Sequence, residues 1–182
     1  MMGLDRVKLR VFALAAVVAI AAGLTALIWE EPRTVAERPV SDFPALFGTP
    51  QRCPSAPQAI PRATQAEEHA YFYAERYPYD PRDGIAAVHR FQEAQSCYRA
   101  AGLADRAQMA GRRASELITR INVDYASSRL VLENALDSEQ WALALSEIHR
   151  LLRLTEHVGD HAYVTHLWSI VGKVSIRANA RR

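Results

Sequence analysis

The sequence lacks most of the features that mark an enzyme. It contains no glycine-rich phosphate-binding loop and no serine in a nucleophile-elbow setting. Cys97 has no neighbouring base in sequence that would activate it as a nucleophile. Paired carboxylates such as Glu67 and Glu68 are explained by the favourable electrostatic field at a helix N-terminus. These absences predict a protein that is not an enzyme and binds no cofactor.

The chain also has little net charge and few cysteines. The chain has 22 Lys and Arg against 20 Asp and Glu, a net charge of +2, which gives no electrostatic case for nucleic-acid binding. Its two cysteines, Cys53 and Cys97, are too few for a disulfide framework. An oxidising compartment would allow them to pair. However, Cys97 lies on an apolar helical stripe with Ala94 and Ala101, so we expect it to pack as a small hydrophobic residue.

The strongest positive signal is an uncharged run of 19 residues from Val11 to Trp29. A helix of that length measures about 28 Å, close to the ~30 Å hydrocarbon core of a bilayer. The basic flank, residues 1–10, favours a cytoplasmic N-terminus, which would place the rest of the chain in the periplasm. The predicted anchor residues are Val11, Phe12, Leu14, Val17, Val18, Ile20, Leu24, Leu27, Ile28 and Trp29.

A cleaved signal peptide is the main alternative to this anchor, and an inverted orientation is a second. Small residues in the segments 19–21 and 21–23 would offer cleavage sites. We favour an uncleaved signal-anchor because apolar residues continue to Trp29, beyond the ~7–15 residues of a signal core. Since the composition suggests a bacterium, the anchor is expected in a bacterial inner membrane as a single-pass helix.

Proline dominates the next segment, residues 30–62. Seven of the nine prolines lie between positions 32 and 61. Proline fixes φ and lacks an N–H, so this segment is predicted to be an extended linker of at most ~100 Å. Phe43, Leu46 and Phe47 interrupt it. They could bind a partner or fold back on the domain, but we interpret the segment as a plain spacer.

Residues 63–182 are predicted to form an all-α domain. Apolar residues recur there at helical spacing, and no convincing strand pattern is present. Thr64 and Glu67 form a capping-box pattern that predicts the start of the first helix. Pro78 and Pro81 should end it. The starts of the later helices are predicted near Asp83, Leu103, Asp137 and Asp160.

A 34-residue shift superposes apolar positions of this domain. Ala107 then falls on Trp141, Ala110 on Ala144, and Leu117 on Leu151. This helix–turn–helix period resembles the tetratricopeptide repeat family over residues 91–158, about two repeats. The resemblance implies helical hairpins that present a protein-binding surface. Asn122 stands where the family has a terminal proline, so a single helix over 103–136 within a small helical bundle is the alternative.

Two clusters of side chains are candidate sites. The aromatic residues Tyr71, Phe72, Tyr73, Tyr77 and Tyr79 are too widely spread to fit one helical face. Some should therefore be exposed, and exposed aromatic residues favour partner binding. Packing against the second helix is the alternative for these rings.

Three histidines form the densest group of potential metal ligands: His157, His161 and His166. Gly159 interrupts the i, i+4 spacing that would place the first two on one helical face. We interpret them as solvated residues around a turn and predict no metal site.

The sequence therefore predicts a non-enzymatic, membrane-anchored adaptor. Its periplasmic helical domain would bind a protein or peptide, as a subunit of a cell-envelope assembly. The alternative is a sensor whose helices enclose a small molecule or a cell-wall fragment. A metal-dependent hydrolase would rest on the histidine cluster alone. Homo-oligomerisation is not predicted in either direction.

Overall fold

A computed structural model describes residues 42–50, 52–53 and 56–180. The predicted basic flank, the anchor at residues 11–29 and the beginning of the linker lie outside these ranges. Within the described ranges, none of the helices combines the length and the hydropathy that crossing a bilayer requires.

Five α-helices make up the described domain. They are α1 (Ala59–Arg76), α2 (Pro81–Ala100), α3 (Ala104–Asp137), α4 (Trp141–Thr155) and α5 (Ala162–Ala180). Short 3₁₀ turns precede α1, at Ala56–Gln58, and follow α4, at Glu156–Val158. Each helix packs against the next along the chain, and α2 also contacts α4. No described residue lies in a strand, so the predicted all-α class is confirmed.

Helix α1 begins earlier than the capping-box pattern predicted. Residues 59–62 belong to it rather than to the linker, and Thr64 lies within the helix. Pro61 is accommodated because N–H groups in the first turn of a helix have no intrahelical partner. The apolar stripe itself starts at Ala59 and continues through Ala63, both buried. This buried stripe, and not the Thr64 pattern, sets the start of the helix.

Helix α3 is a single helix of 34 residues, which resolves the alternative left open by the sequence. At 1.5 Å per residue it is about 51 Å long. Small residues surround its first half, where Ala107 and Ala110 pack with Ala63 and Ala94 of α1 and α2. Larger residues surround its second half, where α4 and α5 pack: Ile121, Leu132, Ile148, Leu151, Leu154 and Leu167. One long helix therefore joins two parts of the core.

The turns before and after α3 have the same backbone geometry. Gly102 and Glu139 both have positive φ, at 75° and 54°. The N–H of Leu103 bonds the carbonyl of Tyr98 at 2.9 Å, and Gln140 N–H bonds the carbonyl of Ala135 at 2.8 Å. These turns lie 37 residues apart, so they do not follow the 34-residue register of the sequence. Counted from the turn that precedes each helix, Ala107 of α3 therefore corresponds to Ala144 of α4.

Cys53 and Cys97 form a disulfide, with a Sγ–Sγ distance of 2.04 Å. The prediction of an unpaired Cys97 was wrong, although the residue is fully buried, as its apolar stripe indicated. The chain before α1 places Cys53 beside it, and the Cys53 N–H donates to Ser96 Oγ at 2.8 Å. Helical periodicity identified the burial, but it contains no information about a residue 44 positions away.

Residues 42–47 fold back on the domain and are called the strap below. Leu46 is buried, and its carbonyl accepts a hydrogen bond from His157 Nε2 at 2.7 Å. The Phe43 ring lies edge-on to Tyr163, with 5.0 Å between centroids, and the Arg129 guanidinium lies 3.7 Å from its centre. The interpretation of this segment as a plain spacer was therefore wrong, because its apolar side chains bury surface against α3 and α5.

Candidate binding surface

The five aromatic residues predicted to bind a partner do not form one surface. Tyr71 and Phe72 are exposed on α1, and Tyr73 is half-buried. Tyr79, in the turn between α1 and α2, is 85% exposed. Tyr77 is only 4% exposed and belongs to the core. Three of the five rings are thus available to a partner, and Tyr77 is not.

Tyr77 is held by contacts from two helices, α2 and α3. Its hydroxyl donates to Asp124 Oδ2 of α3 at 2.6 Å, and the Arg120 guanidinium lies 5.4 Å from its ring centre. Its ring also lies directly on Gly84 of α2, where any side chain would meet it. Burial and the Asp124 carboxylate raise the pKa of Tyr77 well above its usual value. These contacts give Tyr77 a structural role at the junction of the helices.

Tyr71 lines a shallow cleft between α1 and α3. Its ring packs edge-on against Phe91, with 5.2 Å between centroids. The cleft has a volume of about 280 Å³, and Leu117, Arg113 and Arg120 form much of its remaining wall. Phe72 points elsewhere, with the Arg76 guanidinium 5.2 Å from its ring centre. The first part of the predicted aromatic surface is therefore a small cleft whose rim carries two arginines and Glu116, which pairs with Arg113.

Tyr79 lies at a larger site that the sequence did not reveal. One cavity of about 330 Å³ lies between the turn at residues 77–81 and the outer side of α4. A second cavity, of about 510 Å³, lies between α4 and α5 and is lined by Leu152, Val164 and Trp168. His149 and Arg153 line both cavities. We call the two cavities together the α4 groove.

The acidic groups around the α4 groove are already paired. Asp80 accepts hydrogen bonds from Arg82, which lower the pKa of its carboxyl group below the usual value. Asp124 lies 3.7 Å from the Arg150 guanidinium, and Glu156 lies 3.7 Å from that of Arg82. Among the described residues, neither His149 nor Arg153 has an ion-pair partner. The groove therefore presents an excess of positive charge.

Exposed aromatic rings flank this positive charge. Tyr79 stands at one end of the α4 groove, and Trp168, which is 63% exposed, stands at the other. Tyrosine, tryptophan and arginine are enriched at binding interfaces because they combine large apolar areas with polar groups. The arrangement is suited to an extended segment with a carboxylate near Arg153 and apolar side chains on either side.

Two of the three histidines considered as metal ligands contact the strap. His157 donates to the strap, and His161 Nε2 lies 3.9 Å from the Asp42 carboxylate. His166 lies one turn further along α5, and its carbonyl accepts a hydrogen bond from Ser169 Oγ. In the described part of the chain, no three His, Cys, Asp or Glu residues are grouped closely enough to hold a metal ion.

The sequence contains only a weak indication of the α4 groove. Ser146, His149, Arg150 and Arg153 are the polar positions of a helix whose other face is strongly apolar, a pattern shared by most surface helices. Only the exposed Trp168 sets this surface apart, and its exposure depends on how α5 packs. Comparisons of the chain with protein-family models, with curated proteins and with solved structures give no significant match.

Proposed function

We propose that this protein is a non-enzymatic adaptor that holds a partner protein at a bacterial inner membrane. In this proposal the anchor at residues 11–29 crosses the membrane once, and the helical domain lies in the periplasm. The observation that carries the proposal is the α4 groove, where Arg153 lies between the exposed rings of Tyr79 and Trp168. Such a surface suits recognition of a partner's polypeptide segment.

The disulfide supports the periplasmic location. Disulfides persist in oxidising compartments and are rare in the reducing cytosol. The Cys53–Cys97 bond joins the chain before α1 to a fully buried position of α2. Together with the uncharged run at residues 11–29, it favours export of the helical domain.

The proposed architecture resembles tetratricopeptide hairpins in that consecutive helices pack on one another and are joined by short turns. It differs from that family in that α3 is one continuous helix, as in a small helical bundle. The surface for the partner would then be built from several helices, since the groove uses the α1–α2 turn, α4 and α5. We further propose that the adaptor is a subunit of a cell-envelope assembly.

Site-specific photocrosslinking in cells tests this function. A photoreactive amino acid placed at His149 of the full chain should give a discrete adduct with one envelope protein. The matched control is Ser127, an exposed position on the outer side of α3. Arg153→Glu should remove the His149 adduct by reversing the charge of the groove. Absence of a discrete adduct at His149, or equal adducts at both positions, would contradict the proposal.

A cavity outside the α4 groove favours the sensor as the alternative function. It lies between α2 and α3, has a volume of about 570 Å³, and is lined by Gln95, Arg99, Gln108 and Arg112. Amide and guanidinium groups of this kind bind polar or anionic small molecules. A rise in melting temperature with soluble cell-wall fragments, abolished by Arg112→Ala, would support the sensor over the adaptor.

A further inference from the structure

The exposed side of α5 has no acidic residue and carries two large apolar side chains. Tyr163, Leu167 and Val174 on the opposite side are buried in the core. The exposed side presents Trp168 (63% exposed) and Ile176 (73% exposed), with small residues and Lys173 between them. The other exposed positions of α5 include the polar residues Thr165, Ser169, Arg177 and Asn179, so this face combines apolar side chains with cationic and uncharged polar ones.

The strap brings the N-terminal part of the chain to the beginning of α5. Phe43 packs on Tyr163, and the Asp42 carboxylate faces His161. The predicted anchor ends at Trp29, so residues 30–41 alone separate it from the strap. Twelve residues span at most ~40 Å even when fully extended. This length limits how far the strap can lie from the proposed anchor, so the 19-residue helix α5, about 28 Å long, is within reach of the bilayer surface.

We propose that the outer face of α5 rests on the periplasmic surface of the membrane. This inference depends on the anchor in the proposed function and adds a second, reversible membrane contact. Ile176 would insert at the interface. Trp168, which also lines the α4 groove, would insert beside it only while no partner segment lies in that groove. Lys173 and Arg177 would contact anionic lipid headgroups, with no acidic residue of α5 to oppose them.

Two features favour lipid over other occupants of this face. A second copy of the chain would place Lys173 and Arg177 near identical cations, with no carboxylate on α5 to compensate. The short connection to the anchor also raises the effective concentration of lipid at α5, so even a weak contact would be populated. The Arg177 guanidinium, 4.6 Å from the Trp141 ring centre, is held at the edge of the same face.

The test uses the full chain in vesicles of phosphatidylcholine and phosphatidylglycerol. An environment-sensitive fluorophore is attached through Ile176→Cys, and the control is Leu130→Cys, a position on α3 that is 67% exposed. The native cysteines are paired and do not react. We expect quenching by headgroup-labelled lipids at position 176 and little at position 130. Lys173→Gln, which removes one positive charge, should weaken the contact by a factor of about five.

The possible outcomes separate this inference from the anchor. Equal, water-like signals at both positions in a chain that floats with the vesicles would overturn the α5 contact alone. A chain that does not float with the vesicles would overturn the anchor and the α5 contact together. A signal at position 176 that disappears when the protein is diluted with lipid would assign the face to a second copy and overturn the inference.

Discussion

Glu93 is the most constrained charged residue of the described domain. It is buried in α2, where Arg62 Nε lies 2.6 Å from Oε1 and Arg90 Nη1 lies 2.7 Å from Oε2. Burial alone would raise the pKa of this carboxyl group, but the hydrogen bonds from the two guanidinium groups lower it overall. Glu93 is thus charged at neutral pH and ties α1 to α2.

Replacing this carboxylate should destabilise the domain. We expect Glu93→Gln to lower the free energy of unfolding by about 1–3 kcal/mol, because two charge-assisted hydrogen bonds are weakened at a buried site. The control is Glu116→Gln, which removes an exposed pair with Arg113 and should cost less than about 0.5 kcal/mol. Urea denaturation followed by circular dichroism measures both. Equal losses in the two variants would contradict this role of Glu93.

His89 should make the stability depend on pH. Burial, and then the neighbouring His157, lower the pKa of His89 below its usual value of 6.5. Since the folded state binds this proton less readily than the unfolded state, the stability is complete above about pH 6.5 and declines as the pH falls. Thermal unfolding between about pH 7 and pH 5 should show this decline.

The matched variants isolate that histidine. His89→Gln should flatten the decline between pH 7 and pH 5, while His69→Gln, at an exposed position of α1, should leave it unchanged. The pairing of Glu93 contributes a separate loss of stability at lower pH, because the pKa of that group is also lowered. A slope that is the same in the wild type and in His89→Gln would exclude His89 as its source.

Single residues also show where sequence reasoning stops. Tyr77 and Tyr79 differ by two positions, yet one is buried and the other is almost fully exposed. Helix α1 ends at Arg76, so helical periodicity no longer specifies the directions of the side chains that follow. Exposure at Tyr71 and Phe72 agrees with the sequence argument because both lie within the regular helix.

Among the elements, α3 provides the clearest test of the architecture. Asn122 lies near its middle, where the tetratricopeptide pattern would have a proline ending the helix. In a continuous helix, Asn122→Pro removes a hydrogen bond and introduces a clash, so it should cost about 3 kcal/mol or more. Asn122→Ala, the control, should be neutral or slightly stabilising because alanine favours helix. A tolerated proline at this position would mean that α3 is two helices.

The helical segments could largely be predicted from the sequence, whereas the spacing between the turns could not. Apolar spacing identified helical segments because a buried stripe repeats every 3.6 residues in any packed helix. The turns repeat at 37 residues and not at the 34-residue shift. Small residues such as Ala107, Ala110 and Ala144 recur throughout the stripes, so more than one offset superposes them. The 37-residue spacing depends on positive φ at Gly102 and Glu139, and glutamate gives little warning of that conformation.

For the molecule as a whole, the strap fixes residues 42–47 of the predicted linker on the helical domain. Leu46→Ala should lower the free energy of unfolding by about 2–4 kcal/mol and release residues 42–47, because the side chain is buried in the main core cluster. Hydrogen exchange of the strap amides measures the release directly. Ala45→Ser, at an exposed position within the strap, should have no effect. Unchanged exchange in Leu46→Ala would show that Leu46 does not hold the strap.

Long-range contacts were the part of the fold that the sequence concealed. The strap joins Leu46 to His157, and the disulfide joins Cys53 to Cys97. A local pattern shows that Phe43, Leu46 and Phe47 are apolar, but it does not show which surface of the domain they cover. Both the strap and the α4 groove depend on how α3, α4 and α5 pack, so neither follows from spacing alone.

The position of the disulfide sets an order of events in the maturation of the protein. Cys97 is enclosed by α1 and α3, so a thiol oxidase has access to it only before those helices close. In the proposed periplasmic location, both thiols would also have to leave the cytosol, which requires translocation of the chain at least through α2. A polypeptide that folds before it is oxidised would seal Cys97 in its reduced form. The kinetic competition between oxidation and helix assembly therefore decides what fraction of newly made molecules acquires the covalent closure.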